Sequence, residues 1–292
     1  MRVLAWQRLP VAVRAVLVGL LVLIAGNLPW SILVSANLQS TPSFPWAVLA
    51  MGVYLWLFWE YLRGRGWPRT TTETRRTKLR ISPLSARLWQ WSLLAGGSTF
   101  ATLIVLLLFL ERMVNISQDQ FAALRSYPFF SVAAVILMGA VVAGVVEEAA
   151  FRGYMQVPIE KRYGLAVASI IVAIMFSLAH LSHGLSYALP LVPFYLAGSA
   201  IYSLLAYRTG SILPGVVLHI STDVLLGALA FREAISTAGP PTRPMGMYFG
   251  PWGSCAAVVV FATLGTWSFR RLAKITQPNA RTSAQSVVAG IE

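Results

Sequence analysis

The chain has 292 residues, 57% of them hydrophobic and only 11% charged, with a net charge of +13. About 25% charged residues is usual for a soluble domain, so this composition and a mean hydropathy of +0.68 exclude one and define a polytopic membrane protein. The basic excess lies between apolar runs, where Lys and Arg set topology, and not on one face that would neutralise phosphates; no nucleic-acid partner is expected.

Apolar runs of about 20 residues read as membrane spans. About eight are found, at 11–36, 44–62, 91–110, 129–151, 164–182, 187–207, 211–231 and 250–269, and they predict an all-α polytopic helix bundle. Arg2, Arg8 and Arg14 precede the first run, and Val34-Ser35-Ala36 resembles a cleavage site. Its apolar part exceeds the roughly 7–15 residues usual in a signal peptide, so a retained helix is the favoured reading and a cleaved signal the alternative. Residues 1–128 form a first region of three spans. Their connecting stretch 63–90 holds eight basic residues and reads as a solvated cytoplasmic loop, with a capacity for anionic headgroups of about 1 kcal/mol per near-surface charge.

Residues 129–231 hold the intramembrane polar groups and read as the catalytic core. Residues 232–292 add the last span, which contains the single cysteine, Cys255, and a basic tail expected to be disordered after Lys274. With the N-terminus inside, eighteen basic residues fall on the inner side and four on the outer. Both termini are therefore expected in the cytoplasm, and the protein in a bacterial inner (plasma) membrane. Gly139, Ala143 and Gly144, and later Gly198, Ser199 and Ser203, read as helix contacts built from small residues.

The run Val145-Val146-Glu147-Glu148-Ala149-Ala150-Phe151-Arg152-Gly153 places charge in a helix otherwise made for lipid. An intramembrane charge costs about 2.5–3.5 kcal/mol and is kept where it pairs or works. Glu148 and Arg152 are four apart with the acid first, the better orientation for a helical ion pair. Glu147 projects about 100° around the helix from Glu148 and is a candidate general base. All three histidines lie in or beside late spans: His180 and His183 at the end of one, His219 inside another. His219 and Asp223 share a face at four-residue spacing, and Phe176 stands in the same relation to His180.

Together these are the parts of two kinds of site. One is a metal site in which Glu147, His180 and His219 hold Zn2+ or another divalent ion. The other is metal-free: Glu147 and His180 activate a water, while His219 and Asp223 stabilise the oxyanion. Either cleaves an acyl bond. The drawn spans put Glu147 about 6 Å and His180 about 25 Å from the inner surface at 1.5 Å per residue, a mismatch that a longer fourth span would reduce.

Glu147-Glu148-x-x-x-Arg152, Phe176-x-x-x-His180 and His219-x-x-x-Asp223 resemble, in order and spacing, the three motifs of the CAAX-protease and bacteriocin-processing (CPBP, or Abi) intramembrane proteases, which include the type II CAAX prenyl endopeptidases. Arg152-Gly153 and the run Tyr207-Arg208-Thr209-Gly210-Ser211-Ile212-Leu213 are similar to the family's phrasing. The resemblance implies an endopeptidase acting on a membrane-embedded or lipid-anchored segment. In it Glu147 is the base, His180 its water-positioning partner, His219 and Asp223 the oxyanion side or metal shell, and Glu148 with Arg152 a supporting pair. Asp223 stands where the family often has Asn. The implied partners are membrane lipid and a protein or peptide substrate with a membrane-associated segment. Intramembrane charges also suit a proton-coupled transporter, or a catalytically idle binding or immunity protein that keeps the fold.

Overall fold

The structure is a computed structural model and describes residues 6–110, 123–236 and 250–276. With no water inside a bilayer, a spanning chain satisfies its backbone within helices, and among the described residues every regular element is helical. The long elements are α1 (Val11–Ser40), α2 (Trp46–Leu62), α4 (Ala86–Leu110), α5 (Phe129–Glu147), α6 (Gln156–His180), α7 (Leu185–Thr209), α8 (Leu213–Ser236) and α9 (Gly250–Thr276), with a short α3 (Thr72–Leu79) on the connection between α2 and α4. A π-helical segment, Glu148–Met155, joins α5 to α6 without a break. Among the described residues six stretches are long and apolar enough to cross a membrane, and α2 is a shorter apolar helix. The all-α membrane bundle expected from the apolar runs is the fold observed.

One of the six stretches, Phe129–His180, is 52 residues long and doubles back on itself. Gly164 sits inside α6 at φ 83, ψ 168, a conformation open to glycine and closed to most side chains. The rings of Phe151 and Phe176 lie 5.2 Å apart, so the two halves run antiparallel around this turn. The fourth span therefore does not stop at residue 151 but continues to the turn. Polar residues that look like its end are buried in protein instead of meeting water. Glu147 lies 17 residues before Gly164 and His180 lies 16 after it, so at about 1.5 Å per residue both stand about 24 Å from the turn, and the mismatch in depth disappears.

α1 packs directly on the helix that bears the acidic pair. Ala15, Gly19, Val22, Leu23 and Gly26 are buried along it, and a Cβ on Gly26 would fall 2.3 Å from Val146 Cγ1. Only a glycine lets the two backbones approach so closely.

The 63–90 stretch departs from the expected solvated loop. Arg75 is buried and its guanidinium donates to the carbonyls of Tyr61, Arg65, Gly66 and Pro68. One planar group with five donors thus organises the whole turn. Leu79 is buried too, and α3 packs against the π-helical segment. Burial, and then Arg14 nearby, lowers the pKa of Lys78 below the usual lysine value. Arg63, Arg65, Arg69, Arg76 and Arg87 stay exposed. At the other end α9 continues to Thr276, two residues beyond the expected start of the disordered tail; the remainder of that tail lies outside the described residues.

Candidate active site

All eight residues of Glu148–Met155 are buried. Where the segment passes into α6, the Gln156 N–H reaches back to the Phe151 carbonyl, the five-residue step of a π-helix. Such wide turns recur at functional sites because they re-aim side chains without breaking the helix. Here they present Glu148 to α8 and Arg152 to α7. Glu148 Oε1 lies 3.1 Å from Arg152 Nη1, both side chains being fully buried. Arg152 Nη2 donates to Ser199, to its Oγ at 3.0 Å and its carbonyl at 3.3 Å. The guanidinium also stacks over the rings of Phe176 and Tyr202, at 4.7 and 4.9 Å. An arginine in lipid is thus paired, hydrogen-bonded and face-packed, which is what makes its burial tolerable.

α8 approaches this pair closely because Gly215 faces Glu148; a Cβ there would sit 2.7 Å from Glu148 Oε2. One turn on, His219 Nδ1 lies 3.1 Å from Glu148 Oε1. A carboxylate paired with arginine accepts, so Nδ1 carries the hydrogen and the ring is held in a known orientation. Its Nε2 then points the other way, 3.8 Å from Glu147 Oε2 and 3.6 Å from Asp223 Oδ2. The Tyr202 ring stacks on the imidazole at 4.9 Å and 13°.

His180 ends α6. Its Nδ1 donates to the Phe176 carbonyl at 2.8 Å, which leaves Nε2 as the acceptor. The ring is held between Phe176 at 4.4 Å and Tyr195 at 4.1 Å, and Phe176 is in turn 6.1 Å from the His219 ring. His180, His219, Thr222 and Asp223, with the rings of Phe176, Tyr195 and Tyr202, border a cavity of about 380 Å³. The structure therefore gathers Glu147, Glu148, Arg152, His219 and Asp223 into one connected set, with His180 across Phe176 from it. Glu148 and Arg152 lie behind the site, His180, His219 and Asp223 border the cavity, and Glu147 joins them through His219.

Tyr195, Tyr202, Ser199 and Gln156 belong to this arrangement and were not assigned to it from the sequence. Ser199 and Ser203, read only as small contact residues, both hold polar groups of the facing helix: Ser199 accepts from Arg152, and the Ser203 carbonyl accepts from Gln156 Nε2 at 3.1 Å. A signal existed. Glu148, Arg152, Gln156 and Glu160 recur at every fourth position, and Ser199 and Ser203 repeat the same spacing on α7.

Among the described residues no group of three or more His, Cys, Asp or Glu side chains is arranged to hold a metal ion. His219 commits Nδ1 to Glu148, and its Nε2 is shared between two carboxylates at more than 3.5 Å. The set Glu147, His180 and His219 does not form a ready Zn2+ site as it stands.

Residues 129–225 match the family described as Rce1-like, Type II CAAX prenyl endopeptidase Rce1-like. The matched stretch starts with α5 and closes just beyond Asp223, so it contains the π-helical segment, both histidines of the site and most of the cavity wall. No curated protein and no solved structure matches the chain. The chain is an integral membrane protein, and over residues 129–225, about a third of its length, it is similar to this family of membrane endopeptidases.

Proposed function

We propose that the protein is an intramembrane endopeptidase that hydrolyses a peptide bond in a membrane-embedded or lipid-anchored protein. The observation that carries this reading is the two-sided hold on His219, sealed by Glu148 on one nitrogen and shared on the other by Glu147 and by Asp223, which lines the cavity. In this mechanism a water bound by His180 Nε2 gives a proton to Glu147 as its oxygen attacks the scissile carbonyl. His219, with hydrogens on both nitrogens, donates from Nε2 to the resulting oxyanion, and Asp223 balances its charge. Collapse of the intermediate breaks the C–N bond, and Glu147 passes its proton to the leaving amine. An Asp is suited to this place because it lies beside an imidazolium and does not face the oxyanion alone.

The family match supports a narrower substrate: a C-terminal Cys-a-a-X sequence with a prenylated cysteine, for which the aromatic cavity wall offers an apolar bed. The basic-residue asymmetry supports both termini on the cytoplasmic side.

The test uses purified protein in detergent micelles with two internally quenched peptides of one Cys-a-a-X sequence, farnesylated and not. The wild type is expected to cut the farnesylated peptide, and Glu147→Gln to lose at least about a hundredfold in rate, the lower range for a general base. Parental cleavage by Glu147→Gln refutes Glu147 as the base. Equal cleavage of both peptides removes the prenyl requirement. Solute or proton flux in proteoliposomes without cleavage replaces the protease with a transporter, and binding without cleavage replaces it with an idle binding protein.

A further inference from the structure

Arg80 closes α3 at φ 52, ψ 52 and is the one non-glycine residue with positive φ among the described residues. L-residues avoid this conformation because Cβ crowds the following carbonyl, and the position after a helix that requires it is usually glycine. An arginine kept there points to use of its side chain. The guanidinium grips Glu160 with both terminal nitrogens, Nη1 lying 3.1 Å from Oε2. The two side chains are only 14% and 12% exposed, so solvent screens the pair far less than a surface one. The Arg80 carbonyl accepts the Ile212 N–H at 3.0 Å, one residue before α8 begins. Glu160 also accepts from Gln156 Nε2 at 3.0 Å, and Gln156 in turn donates to Ser203 on α7. Gln156 stands one turn from Arg152, and α8 carries His219 and Asp223.

We infer that Arg80 is a positioning residue: its side chain holds the α5–α6 helix through Glu160 and its carbonyl holds the start of α8, so together they set the register in which His219 meets Glu148. It touches no reacting atom. The effect on turnover rests on the protease reading above; the effect on His219 does not.

Arg80→Gln and Glu160→Gln, singly and together, decide it, measured against wild type at equal folded protein by gel filtration and melting. Each single variant is expected to lower kcat on the farnesylated peptide by roughly 10- to 100-fold, the scale of an ångström of misplacement, with KM moved less than about threefold. The double variant is no worse than either single one, because the same contact is lost, and Arg80→Lys recovers part of the rate. A second readout needs no substrate. With three histidines in the chain, 15N-histidine spectra resolve His219, identified by its loss in His219→Gln. Its Nδ1 signal is expected to leave the carboxylate-bonded position in Arg80→Gln and stay there in Arg80→Lys. Parental kcat with a parental His219 signal in Arg80→Gln overturns the inference, as do additive losses in the double variant or activity that merely tracks the amount of folded protein. If the wild type cuts neither peptide, the protease reading fails while the His219 spectrum still decides the role of Arg80.

Discussion

The two faces of His219 are built from the same kinds of side chain and differ in access. On the Nδ1 side, Glu148 and Arg152 are fully buried and locked to each other, to Ser199 and to aromatic rings. On the Nε2 side, Asp223 keeps 34% of its side chain exposed and, with His180, borders the cavity. Charges sealed in a low dielectric hold a structure together only while every partner is present. Groups beside a cavity can exchange protons with what enters it. The contrast separates positions whose loss unfolds the protein from positions whose loss only silences it.

Substitutions on the two sides should therefore fail in opposite ways. The largest effect on stability is expected from Arg152→Ala, which strands Glu148 without a partner at a cost of about 3–5 kcal/mol. Melting in detergent should show that loss, with little folded protein recovered. Glu148→Gln keeps the volume and one acceptor but leaves the buried Arg152 without its counter-charge, so a loss at the lower end of the same range, about 3 kcal/mol, is expected, together with loss of activity as His219 loses its hold. On the cavity side, Glu147→Gln should leave melting within about 1 kcal/mol while removing activity. A Glu147→Gln protein that melts like Arg152→Ala would erase the distinction between the two faces.

Smaller effects sharpen the cavity side. Asp223→Asn keeps size and hydrogen bonding beside His219 and removes only the charge, so turnover should fall by less than about tenfold. A loss as large as that of Glu147→Gln would give Asp223 a direct part in proton transfer. Chelation is expected to change the rate least. Full activity after treatment with EDTA and phenanthroline, in protein holding no stoichiometric metal, is the expected result; loss restored by Zn2+ would move Glu147, His180 and His219 into a metal shell.

Much of the fold was legible because lipid leaves a spanning chain few choices: each of the apolar runs is helical in the structure. The fourth span was cut short at residue 151 because Glu147, Glu148, Arg152 and Gln156 look like a water-facing end. They face α7 and α8, a fact that exists only once those helices are in place. The motif spacings could group Glu148 with Arg152 and His219 with Asp223, since both pairs are local. They could not show that His219 bridges the two, or that Gly164 returns His180 to the height of Glu147. Arg75 and Arg80 were hidden for the same reason. Among eight basic residues in one connecting stretch, nothing in the sequence separates two that bind backbone and a partly buried acid from the five that stay exposed.

The most direct test of the central claim, that Glu147 beside His219 drives hydrolysis within the membrane, is mass spectrometry of membrane peptides from cells carrying wild-type protein or Glu147→Gln at equal abundance. The account predicts at least one cut, at a membrane-associated segment, present with wild type and absent with Glu147→Gln. Identical peptide sets from the two, with both proteins folded and inserted, would contradict it.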